Sequence, residues 1–222
     1  MKNGLAIKFF SIFLTIAIGL SVTGCGNDNS SSNAGNTEDS LVQTPKSWLD
    51  DWSPEASLEA KQAFDSFTYA KDSFEGESFF DLPRKELSPI KVNKPIFRFN
   101  IFSGPSTQDV YLPLLIVAYL GEDWQFYDGL KIKFGDNVRE FTMLNDPDRD
   151  PSGGSISEIL SFLISKEDAK FLSQVFTLGN PEIRLSGSKQ IFTDVQFSTI
   201  ELENLKKVLL AYKYIVNSEI KP

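Results

Sequence analysis

The sequence predicts an α+β domain: a mainly antiparallel sheet of short strands with about three helices, all in a single domain. Three observations carry that expectation. Short segments between residues 96 and 197 alternate apolar and polar side chains with the period of two that a half-buried strand requires. Tight-turn residues separate them, as at Gly121-Glu122-Asp123, Asp128-Gly129 and Gly135-Asp136-Asn137. Capping residues at Ser53, Ser165 and Ser198 each precede apolar residues at helical spacing.

In chain order, the globular region spans residues 46–222. A first helix is expected over about 54–75, with Ser53 as N-cap and Pro54 and Glu55 in its first turn. Ala60, Ala63, Phe64, Phe67 and Phe74 form its stripe, and Gly76 stops it. A connector punctuated by Pro83, Pro89 and Pro95 fills 76–95 and leads to a body of sheet and helices over 96–222. In that body, 96–102 alternates with Phe97, Phe99 and Ile101 on one face, and 112–120 is apolar enough to be a central strand covered on most of both faces. A short strand at 124–127 turns at Asp128-Gly129 into a strand at 130–134, followed by one at 138–144; residues 156–164 fit neither the strand nor the helix period cleanly and are read as a strand, with a helix as the alternative.

The second helix opens on Ser165 and Asp168 at capping-box spacing and stops at Gly179, with Ala169, Leu172, Val175 and Phe176 inward. A hairpin of 182–186 and 190–197 crosses at Gly187-Ser188. The last helix has a capping box at Ser198 and Glu201 and a stripe of Leu202, Leu205, Leu209, Tyr212 and Val216.

Ahead of this region the chain reads differently. Lys2 and Lys8 precede an apolar run over 9–22, too short for a membrane span of roughly 20 residues, which describes a secretory signal peptide over 1–24. Val22-Thr23-Gly24-Cys25 resembles the lipobox of bacterial lipoproteins: an aliphatic residue, two small residues, then a cysteine. The resemblance covers the first 25 residues. It implies cleavage between Gly24 and Cys25, and a thioether-linked diacylglycerol on Cys25, commonly with a third acyl chain on its amine in Gram-negative bacteria. Each buried methylene contributes about 0.8 kcal/mol, so such an anchor holds the protein to a membrane. Gly26, in the place where an Asp retains enterobacterial lipoproteins at the inner membrane, permits sorting to the outer membrane. Residues 25–45 are rich in Asn, Ser and Gly and read as a lipidated, disordered tether with a mean reach of roughly 25 Å.

Charge narrows the partners. The formal net charge is −8, and removal of Lys2 and Lys8 with the leader makes it −10. Nucleic acid needs a positive footprint and is not expected to bind; an anionic bilayer gains nothing from this charge, so lipid is the expected attachment. The chain has no histidine, and its single cysteine is the expected acylation site. The commonest general base, zinc ligands and thiol nucleophile are therefore missing, and no resident cofactor is expected.

Several residue sets remain as candidates. Asp146, Asp148 and Asp150 alternate in a loop and can converge oxygens on a cation such as Ca²⁺, but Pro151, Ser157 and Arg149 break the known calcium-loop pattern and favour a polar turn. Arg98, Lys131, Lys133 and Arg184 fall in the polar phase of their strands and would form an anion-binding face if those strands neighbour one another; dispersed charge on a solvated sheet is the plainer reading. Ser88 with Lys91 and Ser186 with Lys189 have Ser-x-x-Lys spacing without the helix or companion motifs that give it catalytic meaning. Trp48 and Trp52 mark either a partner surface or a lid on the core. The expected function is a lipid-anchored, non-catalytic binding module of the cell envelope, with an envelope protein or glycan as partner; the alternative is a hydrolase of envelope polymers using carboxylates among Asp123, Asp128 and Glu158. Solute receptors of transporters are two-lobed and longer, which disfavours that class.

Overall fold

Ten strands and three helices form two antiparallel sheets with helices against them, an α+β fold, in a computed structural model that describes residues 48–50, 53–72, 77–104, 110–151, 155–178, 181–187 and 192–220. These residues belong to one unit, Ser47–Pro222. Gly24, Cys25, the tether, Trp52, Phe74, Gly76, Gly179, Ser188, Lys189 and Gln190 lie outside the described residues, as do the side chains of Trp48 and Phe176.

The first sheet takes β1 (Thr68–Asp72), β2 (Glu77–Asp81), β3 (Ile96–Ser103), β4 (Leu112–Gly121), β7 (Asp148–Asp150) and β8 (Ile156–Leu163) in the order β1-β2-β3-β4-β8-β7. The second takes β5 (Tyr127–Phe134), β6 (Asn137–Phe141), β9 (Glu182–Gly187) and β10 (Phe192–Val195) in the order β10-β9-β5-β6. Alternation sets the core. Phe97, Phe99 and Ile101 of β3 lie beside Leu115 and Val117 of β4 and Leu160 and Phe162 of β8, on the face that meets Leu130, Ile132, Ile183 and Leu185 of the second sheet.

The helices close this core. In α3 (Thr199–Asn217), Leu205, Val208, Leu209 and Ile215 are buried against the strands. α1 (Pro54–Asp65) packs on the far side of α3 through Ala60 and Ala63 against Leu210, small residues that let the two helices approach. α2 (Lys166–Leu178) buries Ala169, Leu172 and Val175, and its capping residue Asp168 is also held by Arg139 of β6. The α3 capping box is complete, with Ser198 N–H donating to Glu201 at 2.7 Å and Glu201 N–H to Ser198 Oγ at 3.3 Å. The other oxygen of Glu201 accepts the N–H of Phe97 at 2.7 Å, at the end of β3 that β2 does not reach. One carboxylate thus starts a helix and finishes a strand.

Four expectations are corrected. The first helix ends at Asp65, where Ser66 donates both N–H and Oγ to Ala63 O, rather than near 75. The chain continues as β1, because Tyr69 gains a cross-strand partner in Phe80, rings 5.1 Å apart, that a longer helix would forfeit. The stretch read as connector consequently contains β2, with Ser78 and Phe80 buried. Asp128-Gly129 makes no hairpin: both residues sit inside β5, at an irregularity in its pairing with β9, and 124–127 is not a separate strand. Val216 lies off the buried stripe of α3 and is exposed, because the helix drifts from a strict repeat and Ile215 takes the inward position.

Candidate functional site

The chain leaves the first sheet at Gly121 and enters the second at Tyr127, so residues 122–126 cross between the sheets. Crossing segments lack ladder partners, and their N–H groups need acceptors. Glu158 supplies them. It sits on the inward phase of β8 with no exposed surface, and accepts the N–H groups of Gln125 at 2.6 Å, Phe126 at 3.0 Å and Tyr127 at 3.0 Å. Arg149, facing it from β7, donates Nε to Glu158 at 3.4 Å and Nη2 to Tyr127 O at 2.7 Å. Three amides and a guanidinium together offset the cost of enclosing a carboxylate.

This clamp holds Phe126 in the left-handed region at φ 52°, with its ring stacked against Trp124 and covered by the Arg149 guanidinium at 5.7 Å. Gly187 makes the geometry possible. A Cβ there would stand 2.8 Å from the carbonyl oxygens of both Gln125 and Phe126, so only glycine lets β9 run beneath the crossing backbone.

Beside the clamp lies a cleft of about 230 Å³ lined by Asn93, Pro95, Tyr119, Glu122, Asp123, Gln125, Tyr127 and Thr193. Its polar groups are interlocked. Tyr119 Oη donates to Asn93 Oδ1 at 3.5 Å and accepts from Gln125 Nε2 at 3.2 Å; Asn93 Oδ1 also accepts Glu122 N–H at 3.1 Å. Asn93, at φ 61°, is fixed by its own N–H to Leu120 O at 2.7 Å. Tyr127 Oη donates to Thr193 at 2.9 Å, and the two tyrosine rings meet edge to face at 5.9 Å. Gly121 leaves the space that the Tyr119 ring occupies.

Burial pushes both phenols above the usual tyrosine value, further supported by the nearby Glu158 carboxylate and only partly countered by the hydrogen bonds from Gln125 to Tyr119 and from Tyr127 to Thr193. They stay neutral hydroxyls, each able to give and to accept. Glu122 and Asp123 are exposed at the rim. Non-glycine residues held at positive φ on two sides of one cleft are where backbone strain collects at functional sites. The chemistry on offer is dense, neutral and hydrogen-bonding, with acceptors at its edge.

The residues singled out in the sequence are distributed as follows. Arg98 lies in the first sheet and Lys131, Lys133 and Arg184 in the second, so the four make no common strip. Those of the second sheet are each matched by an acid: Lys131 with Glu140 at 3.1 Å, Lys133 with Glu182 at 3.3 Å and Arg184 with Asp194 at 2.6 Å. Adjacent strands place opposite charges across from one another, which replaces an anion-binding face with a neutralised one. Asp146, Asp148 and Asp150 are all exposed, and Arg149 between them turns inward to Glu158. Among the described residues, no three His, Cys, Asp or Glu side chains gather as a metal site. Ser88 is buried with Oγ 3.5 Å from Ser198 Oγ at the start of α3, whereas Lys91 is exposed. Of the carboxylates considered for hydrolysis, Asp128 is exposed on β5, Asp123 stands at the cleft rim and Glu158 is enclosed.

Glu158 carried a signal in the sequence: it is the one charged residue in the apolar stretch 156–164, and a charge in such a stretch needs buried partners. Asn93, in a proline-punctuated segment, carried none. Comparison of the chain with protein-family models, with curated proteins and with solved structures finds no match in any of the three.

Proposed function

We propose that this chain is a lipid-anchored protein of the cell envelope whose folded domain is a non-catalytic binding module for glycans, taken up in the cleft at the sheet crossing. The leader, the lipobox-like Val22-Thr23-Gly24-Cys25 and the tether support the anchoring at Cys25 on the outer face of a membrane, including the outer membrane where one exists. Among the described residues no helix is long and apolar enough to cross a membrane.

The observation that carries the binding reading is the cleft itself. Neutral sugar rings offer rows of hydroxyls that each donate and accept, and the cleft answers with Asn93, Gln125, Thr193 and the Tyr119 hydroxyl, with carboxylate acceptors at its rim. The half-exposed Trp124–Phe126 stack beside it adds an apolar face for sugar C–H groups. Binding is favoured over hydrolysis because the best-placed buried carboxylate, Glu158, spends both oxygens on the crossing backbone.

Affinity capture tests this. Full-length protein extracted in mild detergent is immobilised and exposed to soluble glycan fragments of the envelope; the reading expects retained fragments that elute chemically unchanged, and an N-terminal peptide whose mass carries acyl groups on Cys25. Shortened fragments would move the assignment to a hydrolase, and an unmodified Cys25 would remove the anchor.

A further inference from the structure

The interlocking bonds of the cleft leave an unequal remainder. Asn93 turns Oδ1 inward, where it accepts the N–H of Glu122 and the hydroxyl of Tyr119; both lone pairs of that oxygen are taken, and Nδ2 is the group left over. Gln125 is turned the other way. Its Nε2 donates to Tyr119 Oη at 3.2 Å and to Asp123 O at 3.3 Å, which uses both hydrogens and leaves Oε1. A backbone group fixes each amide, since the N–H of Glu122 requires an oxygen and the carbonyl of Asp123 requires a donor. Tyr119 Oη keeps one lone pair, and Thr193, which accepts from Tyr127 Oη, keeps its own hydrogen.

The larger part of the remainder is charged. Glu122 and Asp123 line the cleft and no cation does. Neither carboxylate has an ion-pair partner among the described residues, and Arg149 is committed to Glu158 and the Tyr127 carbonyl. A ligand therefore meets two carboxylates, an amide oxygen and a phenol lone pair, against two donors. The field at the centre has the same sign: burial is the main reason the Tyr119 phenol lies above its ordinary value, and the carboxylates of Glu158, Asp123 and Glu122 raise it further.

Resting on the reading of the cleft as a glycan site, we propose that its ligand is a glycan with free primary amines, a de-N-acetylated amino sugar, selected by Glu122 and Asp123. An ammonium has three donors and no acceptor, the complement of a surplus of oxygens, and the two carboxylates meet its charge in charge-assisted bonds. An N-acetylated sugar keeps one of those donors, loses the charge and adds a carbonyl that competes for the few donors present. A uronic acid sets a carboxylate against the two already there.

Calorimetric titration of the full-length protein in mild detergent compares a glucosamine tetramer, its fully N-acetylated counterpart and spermidine, at a slightly acidic pH that keeps the amines protonated and the carboxylates ionised. The glucosamine tetramer is expected to bind about tenfold tighter than the N-acetylated one or better, with the advantage shrinking as salt is raised because both rim carboxylates are exposed. Glu122→Gln with Asp123→Asn is expected to bring the ratio of the two affinities close to one. Asp136→Asn with Glu203→Gln removes the same formal charge from exposed positions outside the cleft and is expected to leave the ratio as it is. Equal or reversed affinities in the wild type, or a ratio that survives in the rim variant, would overturn selection by these acids and leave the glycan reading standing. Spermidine bound as tightly as the glucosamine tetramer would also overturn it, by showing attraction to an acidic protein at large. Saturable binding of neither tetramer would overturn the glycan reading itself, and this inference with it.

Discussion

Glu158 of β8 accepts the N–H of Tyr127 at 3.0 Å, and that bond joins the last strand core of one sheet to the first residue of the other. The same carboxylate holds the two preceding amides, so the path between the sheets hangs on one side chain. Glu158→Gln keeps the shape but substitutes an amide that presents N–H groups to donors. The expected loss is about 3 to 5 kcal/mol, the range for breaking one side of a buried ionic cluster, read by urea denaturation. With Arg149→Gln added, the double variant should lose less than the two single losses together, because the pair acts as a unit. Strict additivity would contradict the clamp.

Gly187→Ala tests the crossing from the opposite side. The new Cβ meets two carbonyl oxygens of backbone rather than a movable side chain, so the segment itself must shift. A loss of about 1 to 3 kcal/mol is expected, with faster amide exchange at Gln125, Phe126 and Tyr127 and little change in α1. Unaltered exchange there would show that the crossing does not rest on β9.

Glu201→Ala removes a cap and a strand partner together. Loss of the capping box costs about 1 kcal/mol, and leaving the Phe97 N–H buried and unmatched costs about 1 to 3 more. Ser53→Ala, which removes only the cap of α1 at Ala56 N, should lose about 1 kcal/mol. Equal effects in thermal unfolding would mean that the Phe97 contact contributes nothing.

Asp81 gives the pH prediction. Burial raises its carboxyl above the ordinary 3.8, outweighing the hydrogen bond from Asn100 and the attraction of Arg98. The folded state therefore holds this proton more tightly than the unfolded one. Its favourable contribution is full below pH 3.8 and is lost as pH rises through the raised folded value. Asp81→Asn should stabilise the protein at neutral pH, with the gain shrinking on acidification and gone below about pH 3.8. A gain that grows on acidification would reverse the sign of the argument.

Local rules revealed much of this architecture. The caps at Ser53 and Ser198 are where the sequence puts them, since capping is a contact between residues three apart and is complete within the sequence window that predicts it. The strands at 96 and 130 follow from alternation for the same reason, and the one at 112 from a nearly continuous apolar run, whereas 156–164 fits neither period cleanly and its pairing with β4 makes it a strand. The first helix overran because Phe67 and Phe74 continue the helical spacing of Ala60, Ala63 and Phe64 up to Gly76, and only the long-range pairing of residues 68–72 with β2 decides. Asp128-Gly129 misled because a glycine suited to a turn also suits a strand irregularity. The site was the least legible part. Glu158 shows as a charge in an apolar run, but its partners come from 31 to 33 residues away along the chain. The cleft joins Asn93, Tyr119 and Thr193, which no sequence spacing relates. The four basic residues share a phase, and phase alone does not say which sheet a strand enters.

The cleft reading is tested most directly by calorimetric titration of soluble envelope glycan fragments into full-length protein and its Tyr119→Phe variant. That substitution removes one hydroxyl from the Asn93–Gln125 network and keeps the ring. The account predicts saturable binding by the wild type, weakened about tenfold in the variant, as for loss of one hydrogen-bonding group matched to a ligand, with unfolding midpoints nearly the same. Equal affinity for both proteins, or heat that continues with each injection as fragments are cut, would contradict it.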